Sequence, residues 1–156
     1  MKFICDFMLG SLSKYLRMSN FDTIFIKNIS DDELIKKASD TNRILLTRDK
    51  KLSERKIIKQ DHLQVILVKS NYVVEQIQQI KEILKITFNL DLRRCIECNT
   101  PLNALDKEKI KDHIPPYIYK IHNLFLQCSN CKKIYWKGSH VENMKDFFSK
   151  YLSDSR

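Results

Sequence analysis

The sequence predicts an α/β fold with a mostly parallel sheet, followed by a small module built around four cysteines. Over residues 1–92, short apolar runs alternate with longer segments of helical periodicity, as in layered α/β sandwiches. Two Cys-x-x-Cys pairs lie in the remainder of the chain. We therefore expect one domain at 1–92 and a second at 93–156.

Four apolar runs are the candidate strands of the sheet. Each is bounded by polar or turn-forming residues, as expected of short buried strands. They are Lys2–Cys5, Thr23–Ile26, Ile44–Thr47 and Val65–Val68.

The segments between these runs are candidate helices. Leu12, Tyr15 and Leu16 recur at helical spacing after the first run. Ser30 and Glu33 match a capping box, the side-chain and backbone exchange that opens many helices. A closing helix is indicated by four apolar positions, Ile77, Ile80, Leu84 and Phe88. The chain has 2 glycines, so it has no glycine-rich loop of the phosphate-binding kind.

The cysteine spacing predicts a structural zinc site. Cys95 and Cys98 form one pair, and Cys128 and Cys131 form the other. Four thiolates close a tetrahedral zinc site and leave no open position for catalysis. A disulfide pair is the alternative, but no segment at the amino terminus resembles a signal peptide, so we expect a cytoplasmic protein, where disulfides are rare. His113 is a possible substitute ligand, but four thiolates already complete the set, so a loop histidine is the favoured interpretation.

The charge predicts a polyanionic partner. The formal net charge is +9, and basic residues exceed acidic ones in both halves. RNA or another nucleic acid is the simplest partner for such a surface, and no apolar stretch is long enough for a membrane span. Basic residues crowd one segment, which is either a phosphate-binding surface or a solvated loop. They are Arg43, Arg48, Lys50, Lys51, Arg55, Lys56 and Lys59.

Several acids lie where the predicted strands end. Asp6 follows the first strand, Asp49 follows the third, and Asp31 and Asp32 open the helix after the second. Ligands of open α/β sheets gather beyond the carboxyl ends of the strands, so these acids have the positions of a Mg²⁺ or Mn²⁺ site. Helix capping is the alternative for each acid except Asp6, because an acid that ends a buried strand is costly without a partner.

Several motifs together resemble one known family, the Mut7-C RNase domain family. The resemblance rests on Phe3–Gly10, Leu16–Arg17, Asp22–Thr23, Asp31–Leu34, Arg43–Asp49, Arg94–Cys95, Cys98–Asn99, the second cysteine pair and Tyr135–His140. That family joins a PIN-like nuclease domain, a three-layer sandwich, to a carboxyl-terminal zinc ribbon. The similarity covers nearly the whole chain.

The resemblance implies a metal-dependent ribonuclease. Its catalytic acids, which also bind magnesium or manganese, correspond to Asp6, Asp32 and Asp49. Lys51 stands where small relatives often carry a further aspartate, so one metal ion is expected to bind better than two.

The segment after the last cysteine is a candidate RNA-binding element. Tyr135 and Trp136 have rings that can stack on unpaired bases, Lys137 can contact the backbone, and His140 can act as a proton donor if the ribbon covers the nuclease crevice. Packing within the ribbon is the alternative for the aromatic residues.

Three functions are compatible with these features. The first is a metal-dependent ribonuclease, with RNA contacts from Arg48, Lys50, Lys51 and Arg55. The second is a nucleic-acid-binding or adaptor module of PIN-like fold that does not catalyse. The third, a phosphoacceptor switch, is disfavoured because a single acid follows the first strand and the domain is short for that fold.

Overall fold

A computed structural model describes residues 1–56, 58 and 62–152, apart from the side chain of His140. Residues 1–92 and 93–156 are called the first and the second domain, as predicted from the sequence. The described residues of the first domain form four strands, β1 (Lys2–Cys5), β2 (Asp22–Phe25), β3 (Ile44–Thr47) and β4 (Val65–Leu67). They form one parallel sheet in the order β2-β1-β3-β4. The predicted parallel sheet is confirmed, with β2 displaced by one residue and β4 shorter by one residue than expected.

Helices cover both faces of this sheet. They are α1 (Gly10–Met18), α2 (Asp31–Asp40), α3 (Lys50–Ser53) and α4 (Val73–Leu84), with a 3-10 turn at Phe7–Leu9. Successive strand residues face opposite sides, so Phe3 packs in the core under α1 and α4, whereas Ile4 packs in the core under α2. The first domain is therefore a three-layer α/β/α sandwich.

The start of α2 agrees with the sequence prediction, and the end of α4 does not. Ser30 Oγ accepts a hydrogen bond from the Glu33 backbone N–H, and the Glu33 carboxylate accepts one from the Ser30 N–H, which confirms the capping box. The closing helix ends at Leu84, because Lys85 adopts a left-handed conformation with φ 53°. Phe88 lies beyond the helix and packs edge-on against Phe21.

The second domain contains an antiparallel sheet of three short strands. They are β5 (Leu102–Leu105), β6 (Phe125–Cys128) and β7 (Ile134–Trp136), with β6 in the middle. A 3-10 turn at Lys107–Ile110 and helix α5 (Pro116–Ile121) lie between β5 and β6. Ile110, Ile114 and Phe125 form a small core of their own.

The last helix returns to the first domain. Helix α6 (Ser139–Tyr151) follows the ribbon strands in sequence, but Phe148 and the adjoining Leu152 belong to the same core as α1 and α4. The rings of Tyr15 and Phe147 lie 5.1 Å apart, and the Lys81 ammonium donates to the Leu152 carbonyl at 2.6 Å. Helix α6 thus packs in the apolar core of the first domain, although it follows the ribbon in sequence. Within the described part of the chain, no helix is long and apolar enough to cross a bilayer.

Candidate active site and zinc site

Asp6 ends β1 and is fixed by three hydrogen-bond donors. Its Oδ1 accepts from the Met8 backbone N–H at 2.8 Å, and its Oδ2 accepts from the Arg48 N–H at 3.1 Å and from the Thr47 hydroxyl. The residue is 4 % exposed, so these donors offset a substantial desolvation cost. A carboxylate offers about four lone-pair positions, so Asp6 retains capacity to bind a cation.

Thr47 connects Asp6 to Asp49. Its buried hydroxyl donates to the Asp6 carboxylate and accepts a hydrogen bond from the Asp49 backbone N–H at 2.9 Å. Asp49 then caps α3, because its Oδ1 accepts from the Leu52 N–H at 3.1 Å. Asp6 and Asp49 therefore lie just beyond the carboxyl ends of two neighbouring strands, β1 and β3. Carboxylate oxygens at this edge of the sheet suit Mg²⁺ or Mn²⁺.

Asp32 lies at the start of α2 and is paired with a cation. Its Oδ1 accepts from Arg55 Nη2 at 2.6 Å, while 82 % of the Asp32 side chain remains exposed. Within residues 1–56, 58 and 62–152, the four cysteines are the one group of at least three Cys, His, Asp or Glu whose ligand atoms all lie within 4.8 Å of one another. The structure thus places Asp6 and Asp49 at the carboxyl edge of the sheet. The three carboxylates of Asp6, Asp32 and Asp49 do not come close enough to form such a group.

The basic residues around Asp49 differ in their surroundings. Arg48 is half-buried, and its Nε is buried without a hydrogen-bond partner in the portion of the chain that is described. Lys50 and Lys51 are exposed, with the Lys50 ammonium 3.8 Å from Glu54. Lys59 lies outside the described residues. Arg43 also has a buried Nε without a partner among the described residues, but its two Nη atoms donate to the Asp22 carboxylate.

The four predicted zinc ligands meet at one point. The Sγ atoms of Cys95, Cys98, Cys128 and Cys131 all lie within 4.8 Å of one another, with Cys95 and Cys131 at 3.5 Å and Cys98 and Cys128 at 3.3 Å. Zn–S bonds of about 2.3 Å in a tetrahedron require sulfurs about 3.8 Å apart, so the cluster fits one zinc ion.

The two cysteine pairs have the same backbone geometry. Asn99 N–H donates to the Cys95 carbonyl at 2.9 Å, and Lys132 N–H donates to the Cys128 carbonyl at 3.0 Å. Asn99 and Lys132 both have positive φ, 69° and 63°. Each pair thus has its own tight turn, and the two turns are of the same kind. Each turn directs its two sulfurs towards one centre.

The residues after Cys131 take part in packing. The Tyr135 hydroxyl lies 3.1 Å from Cys95 Sγ and accepts a hydrogen bond from the Ile96 N–H at 3.2 Å. The rings of Trp136 and Phe125 are neighbours. The Trp136 ring also packs closely on Gly138, because a Cβ added to Gly138 would lie 2.8 Å from Trp136 Nε1. Lys137 is exposed, and the His140 side chain lies outside the described part of the chain.

Side chains missed by the sequence reasoning attach the first cysteine turn to β2. Arg17, which is 3 % exposed, donates to the Thr23 carbonyl at 2.9 Å and to the Ile96 and Glu97 carbonyls at 2.8 Å each. Asn99 Oδ1 accepts from the Thr23 N–H at 2.9 Å. Arg17 and Asn99 both lie in motifs that carry the family resemblance. Their presence in those motifs was the one sequence signal for this contact, because neither residue type there indicates catalysis.

Asp22 extends this network to a second arginine. Its carboxylate accepts from Asn99 Nδ2 at 2.7 Å and from Arg43 Nη1 and Nη2 at 2.8 and 3.1 Å. Burial acts to raise the pKa of Asp22, but the hydrogen bonds from Arg43 and Asn99 outweigh it and hold the pKa below its usual value. An ionised Asp22 at the start of the edge strand β2 therefore holds Asn99, a residue of the first cysteine turn, which we call the zinc turn.

Comparison with known proteins agrees with this combination of a parallel sheet and a cysteine cluster. No curated protein and no solved structure gives a significant match. A family model described as Mut7-C RNAse domain matches residues 1–148. This span contains Asp6 and Asp49 at the acidic edge, and the four clustered cysteines. It also contains the contacts that attach the first cysteine turn to β2, which we call the docking network. The chain therefore belongs to the Mut7-C RNase domain family.

Proposed function

We propose that this protein is a metal-dependent ribonuclease that hydrolyses RNA phosphodiester bonds at the carboxyl edge of its parallel sheet. Membership of an RNase domain family supports a nuclease role. The proposal rests on the two acids that follow β1 and β3, Asp6 and Asp49, which share the Thr47 hydroxyl as a common support. A buried, hydrogen-bonded carboxylate at such an edge is a costly arrangement that a bound cation rationalises.

Asp6 and Asp49 would hold a Mg²⁺ or Mn²⁺ ion, and Asp32 would complete the set. When bound, such an ion polarises a phosphoryl oxygen and lowers the pKa of a coordinated water. Thr47 orients Asp6 through its hydroxyl and fixes the backbone of Asp49. The chain's part is therefore to hold carboxylate oxygens in fixed positions, so that little reorganisation is needed during the reaction.

The exposed pair between Asp32 and Arg55 is compatible with this role. Exposed ion pairs contribute about 0–1 kcal/mol, so an RNA phosphate can compete for Arg55 at low cost. Arg55 would then bind the phosphate, and Asp32 would be released towards the ion. Arg48, Lys50 and Lys51 add phosphate contacts around Asp49.

The zinc ribbon would supply stability and a second RNA contact. Four thiolates leave no position for substrate, so its zinc is structural. Lys137 is the exposed cation of the segment after β7, whereas the Tyr135 hydroxyl is used beside Cys95. Contacts of Tyr135, Trp136 and His140 with RNA remain part of the proposal.

A non-catalytic nucleic-acid-binding or adaptor module is the second candidate. It is favoured by the separation of Asp32 from the other two acids and by the use of Asp49 as a helix cap. Such a module would bind RNA through the same basic residues without needing Mg²⁺ or Mn²⁺.

Cleavage of end-labelled single-stranded RNA by the zinc-loaded protein distinguishes the two candidates. We expect cleavage that requires added Mn²⁺ or Mg²⁺ and that Asp6→Asn and Asp49→Asn each reduce by at least about a hundredfold, which corresponds to about 2.7 kcal/mol of transition-state stabilisation. Asp40→Asn, at the exposed end of α2, is the matched control and should cleave like the wild type. RNA binding without cleavage by the wild type would reject the enzyme in favour of the adaptor.

A further inference from the structure

Two of the most exposed aromatic side chains lie at the edge of the sheet that carries the acids. Phe7, directly after Asp6, is 68 % exposed, and Tyr72, the residue before α4, is 72 % exposed. The neighbouring Met8 is also exposed. Leu9, in the same 3-10 turn, is buried, so the turn anchors itself through Leu9 and leaves Phe7 in solvent.

Phe7 and Tyr72 belong to the same side of the sheet. Cys5 pairs with Leu46 across β1 and β3, and both lie in the core under α1 and α4. Phe7 comes two residues after Cys5, and Arg48 comes two residues after Leu46. The two residues therefore follow the ends of neighbouring strands at equivalent positions. Tyr72 precedes α4, which covers this face. The pair of Asp32 and Arg55 belongs to the opposite face, where α2 packs.

Arg48 supplies the charge for this side. The buried Nε of its guanidinium lacks a hydrogen-bond partner among the residues described, and such a group costs about 1–3 kcal/mol when it is left unsatisfied. The side chain of Arg48 is only half-buried, and its planar guanidinium offers a fork of donors that matches two oxygens of a phosphate. The edge thus combines exposed rings with a half-buried guanidinium that can bind a phosphate.

We propose that Phe7 and Tyr72 stack on unpaired bases of RNA while Arg48 binds the adjoining phosphate. This inference rests on the proposed ribonuclease function and deepens it by assigning the substrate as an unpaired strand. Rings that stack on bases tolerate any sequence and reject bases that are still paired within a duplex. The basic surroundings favour a nucleic acid over an apolar protein surface as the occupant.

Fluorescence anisotropy tests the stacking separately from cleavage. The zinc-loaded protein is titrated, without Mg²⁺ or Mn²⁺, into a short labelled strand, the same strand in a duplex, and a strand of abasic nucleotides. Stacking on one base contributes about 1–3 kcal/mol, so Phe7→Ala and Tyr72→Ala should each weaken binding of the single strand by about 5- to 100-fold. Binding of the duplex and the abasic strand should change little, and Phe7→Tyr should retain single-strand affinity.

Tyr117→Ala is the matched control, because Tyr117 is 69 % exposed and belongs to the ribbon helix α5. Equal affinity of Phe7→Ala, Tyr72→Ala and wild type for the single strand would overturn the inference. An equal loss on all three RNAs, an equal loss in Tyr117→Ala, or absence of RNA binding by the wild type would also overturn it. If Phe7→Ala and Tyr72→Ala lose affinity for the single strand alone but the wild type never cleaves RNA, the stacking residues stand and the nuclease function is rejected. If the wild type cleaves RNA with added metal but both variants keep their affinity, the nuclease function stands and the stacking residues are rejected.

Discussion

At the scale of single residues, Thr47 matters more than its neutral side chain suggests. It is fully buried and has two roles, as donor to the Asp6 carboxylate and as acceptor for the Asp49 backbone. Without it, Asp6 would be buried with one donor fewer and the Asp49 N–H would lose its partner. Thr47 is therefore a positioning residue through which β3 holds both acids.

Thr47→Val keeps the shape of the side chain and removes the hydroxyl. We expect the free energy of unfolding to fall by about 1–3 kcal/mol, because polar groups at Asp6 and Asp49 lose a partner. Urea unfolding of the zinc-loaded protein measures the change. Thr41→Val, at a half-buried position where the hydroxyl donates to the Lys37 carbonyl near the surface, is the control and should stay within about 0.5 kcal/mol. Equal stability of Thr47→Val and wild type would contradict the bridging role.

Cys5 should behave differently from the other four cysteines. Burial raises the pKa of its thiol above the usual value, and the thiolate is the reactive form. Of the 5 cysteines, a thiol reagent at neutral pH should therefore label four once a chelator removes zinc, and the fifth only after denaturant is added. Cys5→Ala identifies the slow thiol. Rapid labelling of Cys5 in the folded protein would show that β1 is more accessible than the structure implies.

At the scale of elements, the zinc turn covers backbone groups of the edge strand β2. β2 is an edge strand, and such strands offer unpaired backbone groups to other chains. Asn99 and Arg17 occupy the N–H and C=O groups of Thr23, while Arg17 also holds two carbonyls of the cysteine turn. One arginine thus links the sheet edge to the ribbon, so metal binding and the packing of the two parts are expected to be coupled.

Arg17→Met tests this coupling. Hydrogen bonds to charged groups contribute about 1.5–3 kcal/mol each, so loss of three should destabilise the fold by at least about 3 kcal/mol. Zinc should also pass faster to a chromogenic chelator, because the carbonyls of Ile96 and Glu97 lose their donor. Lys14→Met removes only the exposed pair with Glu97 and should have a small effect on both readouts. Equal zinc release by Arg17→Met and wild type would show that the turn does not depend on β2.

At the scale of the whole molecule, local patterns predicted the elements better than their assembly. The parallel strands and the cysteine site follow from apolar runs and from ligand spacing, which are properties of short segments. The contacts of Arg17 with Glu97 and of Tyr15 with Phe147 join residues far apart in sequence. No periodicity encodes such contacts, so neither the docking network nor the return of α6 could be predicted.

The candidate site was predictable to a similar degree. The positions of Asp6 and Asp49 follow from strand ends that meet at one edge. The pairing of Asp32 with Arg55 depends on side-chain conformations between helix α2 and the segment after α3, which the sequence does not encode. The role of the Tyr135 hydroxyl beside Cys95 depends on the fold of the ribbon in the same way.

Manganese binding tests most directly whether the acidic edge is a catalytic metal site. Electron paramagnetic resonance follows Mn²⁺ binding to the zinc-loaded protein, while cleavage of single-stranded RNA is measured at the same Mn²⁺ concentrations. We expect binding and cleavage to saturate together. Asp6→Asn and Asp49→Asn should weaken both, whereas Asp40→Asn should weaken neither. Cleavage that persists without bound Mn²⁺ or Mg²⁺, or Mn²⁺ binding that both Asp6→Asn and Asp49→Asn leave unchanged, would contradict this expectation.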